Sequence, residues 1–242
     1  MIGVETIGQA AKRNGQMPGA RGIDVNASTE KLPDHERAYR ALRDMILHGE
    51  LAPGQAVTIQ GLVETLGLGM TPVREAIRRL TSRGALEFKG NRRVSVPEMD
   101  AATYDELAFV RLSVEPELAR RAVENLDDTA IRELEALDAR VDYAIERGDV
   151  RDYLEANRLF HTRLYQASGA DVLLQISEML WLRSGPSLRV MLGRAGTANL
   201  PDKHREALAA MRAGDADACA EAIRGDILQG IKQVTSTLSD AG

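Results

Sequence analysis

Between residues 58 and 96 the hydrophobic pattern runs through two short helical segments and then changes its period, a combination that tightly limits the fold. Thr58 is followed by Leu62, Val63 and Leu66 at helical spacing, and Gly67-Leu68-Gly69 interrupts the run. A second helical pattern begins at Thr71-Pro72, with Thr expected at the cap and Pro at the first helical position, and it runs to about Ser82 before Gly84. Then the period shortens. Ala85-Leu86-Glu87-Phe88 and Arg93-Val94-Ser95-Val96 flank Lys89-Gly90-Asn91-Arg92, two alternating runs around a Gly-Asn turn, which predicts a β-hairpin ended by Pro97. A further helix is expected over about 35–49, capped by Asp34, with Ala38, Leu42, Met45 and Ile46 on its inner face.

The remainder is helical in pattern. Helices are expected over about 100–124, 128–147, 149–168, 171–183, 201–213 and 215–238, punctuated by Gly148, Gly169, Gly185-Pro186, Gly193, Gly196 and Gly214. Residues 1–32 are rich in Gly, Asn, Ser and Thr without sustained period and are expected to form a flexible arm. The fold class is therefore mainly α: three helices and a hairpin over 33–97, then an all-α bundle over 98–238.

Charge separates the two parts. The chain carries −5 overall, but residues 35–96 hold ten Lys/Arg against six Asp/Glu, whereas residues 100–242 hold seventeen against twenty-five. A basic first part on an acidic remainder is the asymmetry of a nucleic-acid module joined to a domain with another task. The lone Cys219 allows no internal disulfide, the N-terminal stretch lacks the apolar core of a secretory signal, and no segment approaches the ~18 apolar residues of a membrane span. A cytoplasmic location with no membrane partner is expected.

At about 100° per residue, Val73, Ala76, Ile77 and Leu80 gather on one side of the helix that starts at Thr71. Thr71, Arg74, Glu75 and Arg78 gather on the other, with Arg79 at its edge. Guanidinium groups near a helix N-terminus suit phosphates and guanine edges. Lys89, Asn91, Arg92 and Arg93 around the hairpin tip can reach a neighbouring phosphate or the minor groove. A plain solvated helix face would look similar in isolation; the hairpin that follows favours DNA.

The stretch Gly49-Glu50-Leu51-Ala52-Pro53-Gly54, followed by Thr71-Pro72-Val73-Arg74-Glu75-Ala76-Ile77 and Arg79-Leu80, closely resembles the GntR family of bacterial regulators over about 60 residues. The resemblance implies a winged helix-turn-helix that binds a palindromic operator as a homodimer. Two departures bear on the operator sequence: Gly69-Met70 stands where the family usually has Ser-Arg, and Ile59 replaces an acidic residue.

Among the four histidines, His161 follows Asn157 by one helical turn and His204 lies near a helix start. By spacing alone, isolated surface or hydrogen-bonded histidines are the plainer reading, ahead of a metal site. Residues 100–235 resemble the helical FCD domain of the FadR-type GntR subfamily, through Arg111-Leu112-Ser113-Val114-Glu115, Asn157-Arg158-Leu159-Phe160-His161 and Lys203-His204-Arg205-Glu206-Ala207-Leu208. Metal-binding members place an Asp or Asn four residues before the first His, a second His in the last of these stretches, and a third His twenty-two residues on. In this chain those positions are Asn157, His161, His204 and Asp226, so the third His is Asp, itself a competent ligand for a divalent metal such as zinc. The resemblance also implies that Arg111 lies near the cavity, where it can pair with a small carboxylate effector; a salt bridge to Glu115 is the structural alternative. Trp181, Arg183 and Arg189 are further wall residues that the sequence does not orient. The expected function is a ligand-responsive repressor, with a metal-dependent enzyme fused to a nucleic-acid module, or an architectural protein without a ligand, as the rivals.

Overall fold

Thr58 sets the geometry of the first domain from both sides. It ends strand β1 (Ala56–Thr58), and its hydroxyl accepts a hydrogen bond from the Gly61 amide at 2.9 Å, capping helix α2 (Ile59–Leu66). Thr58→Ala is expected to cost about 1 kcal/mol, the usual loss for a capping hydroxyl; urea denaturation at fixed temperature reads it, and an unchanged midpoint would show that the cap is replaced by water without cost. Gly67 ends α2 in the left-handed region at φ 61°, a conformation that disfavours any side chain.

The computed structural model describes residues 32–90, 93–195 and 202–239, without the side chains of 186–195, 233 and 236–239. Apart from Leu32, the arm expected over 1–32 lies outside the described residues. Helix α1 (Asp34–Leu47) packs across α3 (Met70–Ser82), burying Ala38, Leu42 and Ile46 against Val73, Ala76, Ile77 and Leu80. The strands β2 (Glu87–Lys89) and β3 (Arg93–Ser95) form the expected antiparallel hairpin, and β1 adds to its other side in the order β1-β3-β2. Ser95 faces Ala56 on one side and Glu87 on the other. Three helices and a small wing are thus present. Asn91 and Arg92 at the wing tip lie outside the described residues.

Two caps differ from expectation. Asp34 is the first residue of α1, not its cap; Pro33 holds that place, and the Asp34 carboxylate accepts from Arg37 at 2.8 Å. Helix α3 starts two residues early, so Gly69 is the cap and Thr71 and Pro72 fall inside the first turn. Proline is tolerated there because the first amides of a helix have no partner within it.

The second part is helical throughout: α4 (Ala101–Val123), α5 (Asp128–Arg147), α6 (Val150–Gln166), α7 (Asp171–Ala195), α8 (Lys203–Ala213) and α9 (Ala216–Ser239). Its core joins Leu118 and Ala122 of α4, Leu134 of α5, Phe160 and Leu164 of α6, Met211 of α8 and Ile223 of α9. Pro116 stands inside α4, where it cannot donate to the Leu112 carbonyl one turn earlier. Arg224 of α9 supplies the missing donor, with Nη1 at 3.2 Å from that oxygen.

Helix α7 does not stop at residue 183 as expected but continues through Gly185-Pro186. Gly185 packs beside the end of α1, where a side chain would meet Leu47 at 3.6–3.8 Å, ordinary van der Waals contact. Two residues of α7, Trp181 and Leu182, join the core of the winged domain. Among the described residues no helix is long and apolar enough to cross a membrane.

Candidate DNA face and metal centre

On α3 the buried side is filled by Val73, Ala76, Ile77 and Leu80, which turns Thr71, Arg74, Glu75 and Arg78 outward. Arg78 stands 3.7 Å from Glu75, a loose and exposed pair. Lys89 on the wing is exposed and pairs with Glu87 at 2.8 Å. Arg79 is not brought to this face. Its guanidinium lies 3.7 Å over the Tyr39 ring and donates to Glu36 of α1 at 3.1 Å, so it ties α3 to α1. The edge position assigned by helical spacing left its direction open, and the aromatic face with an acidic partner decided it.

In the helical part, α6, α8 and α9 bring His161, His204 and Asp226 together, with ligand atoms from each within 4.8 Å of one another. The His161 and His204 Nε2 atoms are 3.3 Å apart. Asp226 Oδ2 is 3.1 Å from His161 Nε2, and its Oδ1 is 3.9 Å from His204 Nε2. Neighbours fix both imidazoles. His204 Nδ1 lies 3.0 Å from Asp138 Oδ1, which can only accept, so Nδ1 carries the proton and Nε2 presents its lone pair. His204 also stacks on Phe160 at 4.0 Å between centroids. His161 Nδ1 lies 3.1 Å from the Tyr165 hydroxyl, which spends its own proton on Glu115 Oε2 at 2.8 Å. His161 Nδ1 is therefore a donor too, and its Nε2 lone pair also turns inward.

Two lone pairs and a carboxylate aimed at one point repel unless a cation stands between them. Such separations are those of ligands about one divalent ion, at ~2.0–2.2 Å from each, and the outer partners Asp138 and Tyr165 are of the kind that orient metal-bound histidines. The residues fit a metal. A proton is its competitor. Burial alone would depress the His204 pKa, but the hydrogen bond to Asp138 and the charges of Asp226, Asp138 and Asp202 raise it above the ordinary value. Burial would raise the Asp226 pKa, but the His161 hydrogen bond and the charges of His161, His204 and Arg111 hold it at about 2.

Asn157 is buried on α6 one turn before His161, and its side chain makes no hydrogen bond among the described residues. Arg111 is buried on α4, and its bidentate edge is already taken: Nε donates to Glu115 Oε1 at 2.6 Å and Nη2 to Oε2 at 3.2 Å. A direct contact with an effector carboxylate would need that pair to open. The structural alternative, a salt bridge one turn along α4, is what the side chains form. Glu115 is the hub, since Trp181 Nε1 also reaches its Oε2 at 3.3 Å.

Sequence reasoning missed Asp138, Tyr165 and the hub role of Glu115. Tyr165 had a signal, four residues after His161 on the same helix face. Asp138 had none, lying 66 residues from its partner. Trp181 is the wall residue that matters. Arg183 lies against Gly84, and the side chain of Arg189 is outside the described ones.

Comparison with known proteins gives these surfaces a context. A profile described as "FCD domain" matches residues 106–228, and one described as "Bacterial regulatory proteins, gntR family" matches residues 34–96. The chain is similar to the HTH-type transcriptional regulator McbR of Escherichia coli K12, 34% identical over 181 residues, covering 74% of this chain and 82% of that protein. It is also similar to the HTH-type transcriptional repressor RspR of the same strain, 28% identical over 148 residues, covering 61% and 65%. The solved structure of E. coli McbR/YncC superposes with a TM-score of 0.81 at 30% identity, covering 86% of this chain and 99% of that one. These relatives are regulators, which favours the expected regulator over the rival reading of a metal-dependent enzyme. The chain belongs to the GntR family of bacterial regulatory proteins, as a DNA-binding transcription regulator that joins a winged helix-turn-helix to an FCD domain.

Proposed function

We propose that the protein is a cytoplasmic homodimeric repressor, released from a palindromic operator by a small organic acid bound beside a divalent metal, zinc for preference. Residues 33–97 read the operator and 98–238 sense the effector and dimerise. The observation that carries the reading is the convergence of the inward-facing His161 and His204 Nε2 atoms on Asp226. These three hold the ion, with Asn157 one turn away, and leave coordination positions for a carboxylate. A bound ion would supply Lewis-acid attraction for that carboxylate. Arg111, held by Glu115, adds positive charge from behind rather than a direct contact. Thr71, Arg74 and Arg78 on α3 meet the major groove, and Lys89, with Asn91 and Arg92 of the wing, meets the backbone or minor groove. The exposed Phe109 on α4, 72% accessible, suits burial against a second copy.

The test uses a duplex that the full-length protein selects from a random pool. Arg74→Ala is expected to weaken binding about ten- to a hundredfold, as loss of a base-reading arginine does; unchanged affinity in a gel-shift titration would remove α3 from the DNA. Addition of small hydroxy- and dicarboxylates is expected to release the parent protein but not the His161→Ala/His204→Ala variant. Equal release of both would place the effector elsewhere.

A further inference from the structure

Helices α1, α6 and α7 enclose a cavity of about 270 Å³ where the winged domain meets the helical body. Three guanidinium groups line it, Arg43 of α1, Arg83 at the end of α3 and Arg158 of α6, against one carboxylate, Glu178 of α7. Two of the three have partners. Arg83 donates to the Tyr39 hydroxyl, and Arg43 pairs with Asp44 at 2.8 Å. Arg158 has none: its Nε is buried without a hydrogen-bond partner, and no ion pair reaches it among the described residues. Burial and the charge of Arg43 press its pKa down, against the weaker pull of Asp44, Glu155 and Glu178. The His48 Nε2 at the end of α1 is a second buried atom without a partner, and it feels the Arg158 charge.

A buried donor without an acceptor is costly, and a folded chain that retains one beside a cavity points to an acceptor that enters from outside. Guanidinium groups pair best with planar or tetrahedral oxyanions. We propose that this cavity is an anion site, separate from the metal centre, that holds the carboxylate or phosphate of a small metabolite between Arg158 of α6 and Arg43 of α1. Leu47 and Trp181 give the rest of the ligand an apolar wall. The occupant joins the winged domain to the helical body, because its two arginines come from either side. The site meets the metal centre through two shared wall residues: Tyr165, which bonds to His161 and Glu115, and Trp181, which donates to Glu115 and stands 5.3 Å from the His161 ring.

Thermal melting and calorimetric titration of the full-length protein decide the matter, with sodium phosphate and sodium succinate as probes and sodium chloride at matched ionic strength as the control. At least one probe is expected to raise Tm by about 3 °C or more and to saturate at about one per chain. The probe that does so identifies the head group. Arg158→Met is expected to abolish the response, and Arg43→Gln to weaken binding about tenfold; if the first variant fails to fold, the second decides. The His161→Ala/His204→Ala variant is expected to keep the response, since its change lies in the metal centre. No saturable response to either probe, an undiminished response in the arginine variants, or a response lost with the two histidines would each overturn the proposal.

Discussion

Glu115→Ala is expected to lower stability by about 3–5 kcal/mol, the usual consequence of stripping one partner from a buried ion pair. Glu115 is fully buried and accepts from Arg111 twice, from Tyr165 and from Trp181. Its removal leaves a guanidinium, a hydroxyl and an indole N–H without acceptors, and the unpaired charge dominates the cost. For a chain of this size that is a fall in Tm of roughly 10 °C. The double variant Arg111→Met/Glu115→Met is expected to recover more than half of the loss, because no orphan charge remains. A Tm within about 2 °C of the parent for Glu115→Ala would show that water reaches Arg111 and that the network is not closed.

The second large effect is on metal content. Purified without a histidine tag, the protein is expected to carry about one divalent ion per chain, and the His161→Ala/His204→Ala variant none, since Asp226 alone cannot hold one. Elemental analysis of both reads this directly. The argument rests on proton placement: Asp138 and the Tyr165–Glu115 pair claim the Nδ1 protons, so two Nε2 lone pairs face each other at 3.3 Å. No ion in either protein would leave a protonated imidazole as the cation at the centre, with Asp226 as its counter-ion, and would withdraw the metal from the proposed mechanism.

What the sequence made legible followed local rules. Helix boundaries at Thr58, Gly67, Asp100 and Gly148 are set by caps and by left-handed glycines, which act over one turn. The outward face of α3 follows from a period that any helix obeys. Features fixed by tertiary contact were misread or left open. Helix α7 runs on through Gly185-Pro186 and places Trp181 and Leu182 in the winged core, and Arg79, at the edge of α3, lies over Tyr39 and pairs with Glu36. Strand β1 is three residues long, too short for a visible period, and exists only by pairing with β3. The candidate metal-ligating residues were legible through resemblance; their orientation was not, because Asp138 acts from another helix.

The place of Trp181 and Leu182 in the winged core has a consequence for the autonomy of the two parts. By chain order the reading head ends near residue 97, but its hydrophobic filling does not. A fragment cut there would lack an indole and an isobutyl group that seal its interior, and would expose the apolar residues they cover. The two parts are therefore expected to be coupled in unfolding, with loss of the α7 packing destabilising the winged core. A shift of α7 at Trp181 and Leu182 would reach the winged core directly, because those two side chains are part of it.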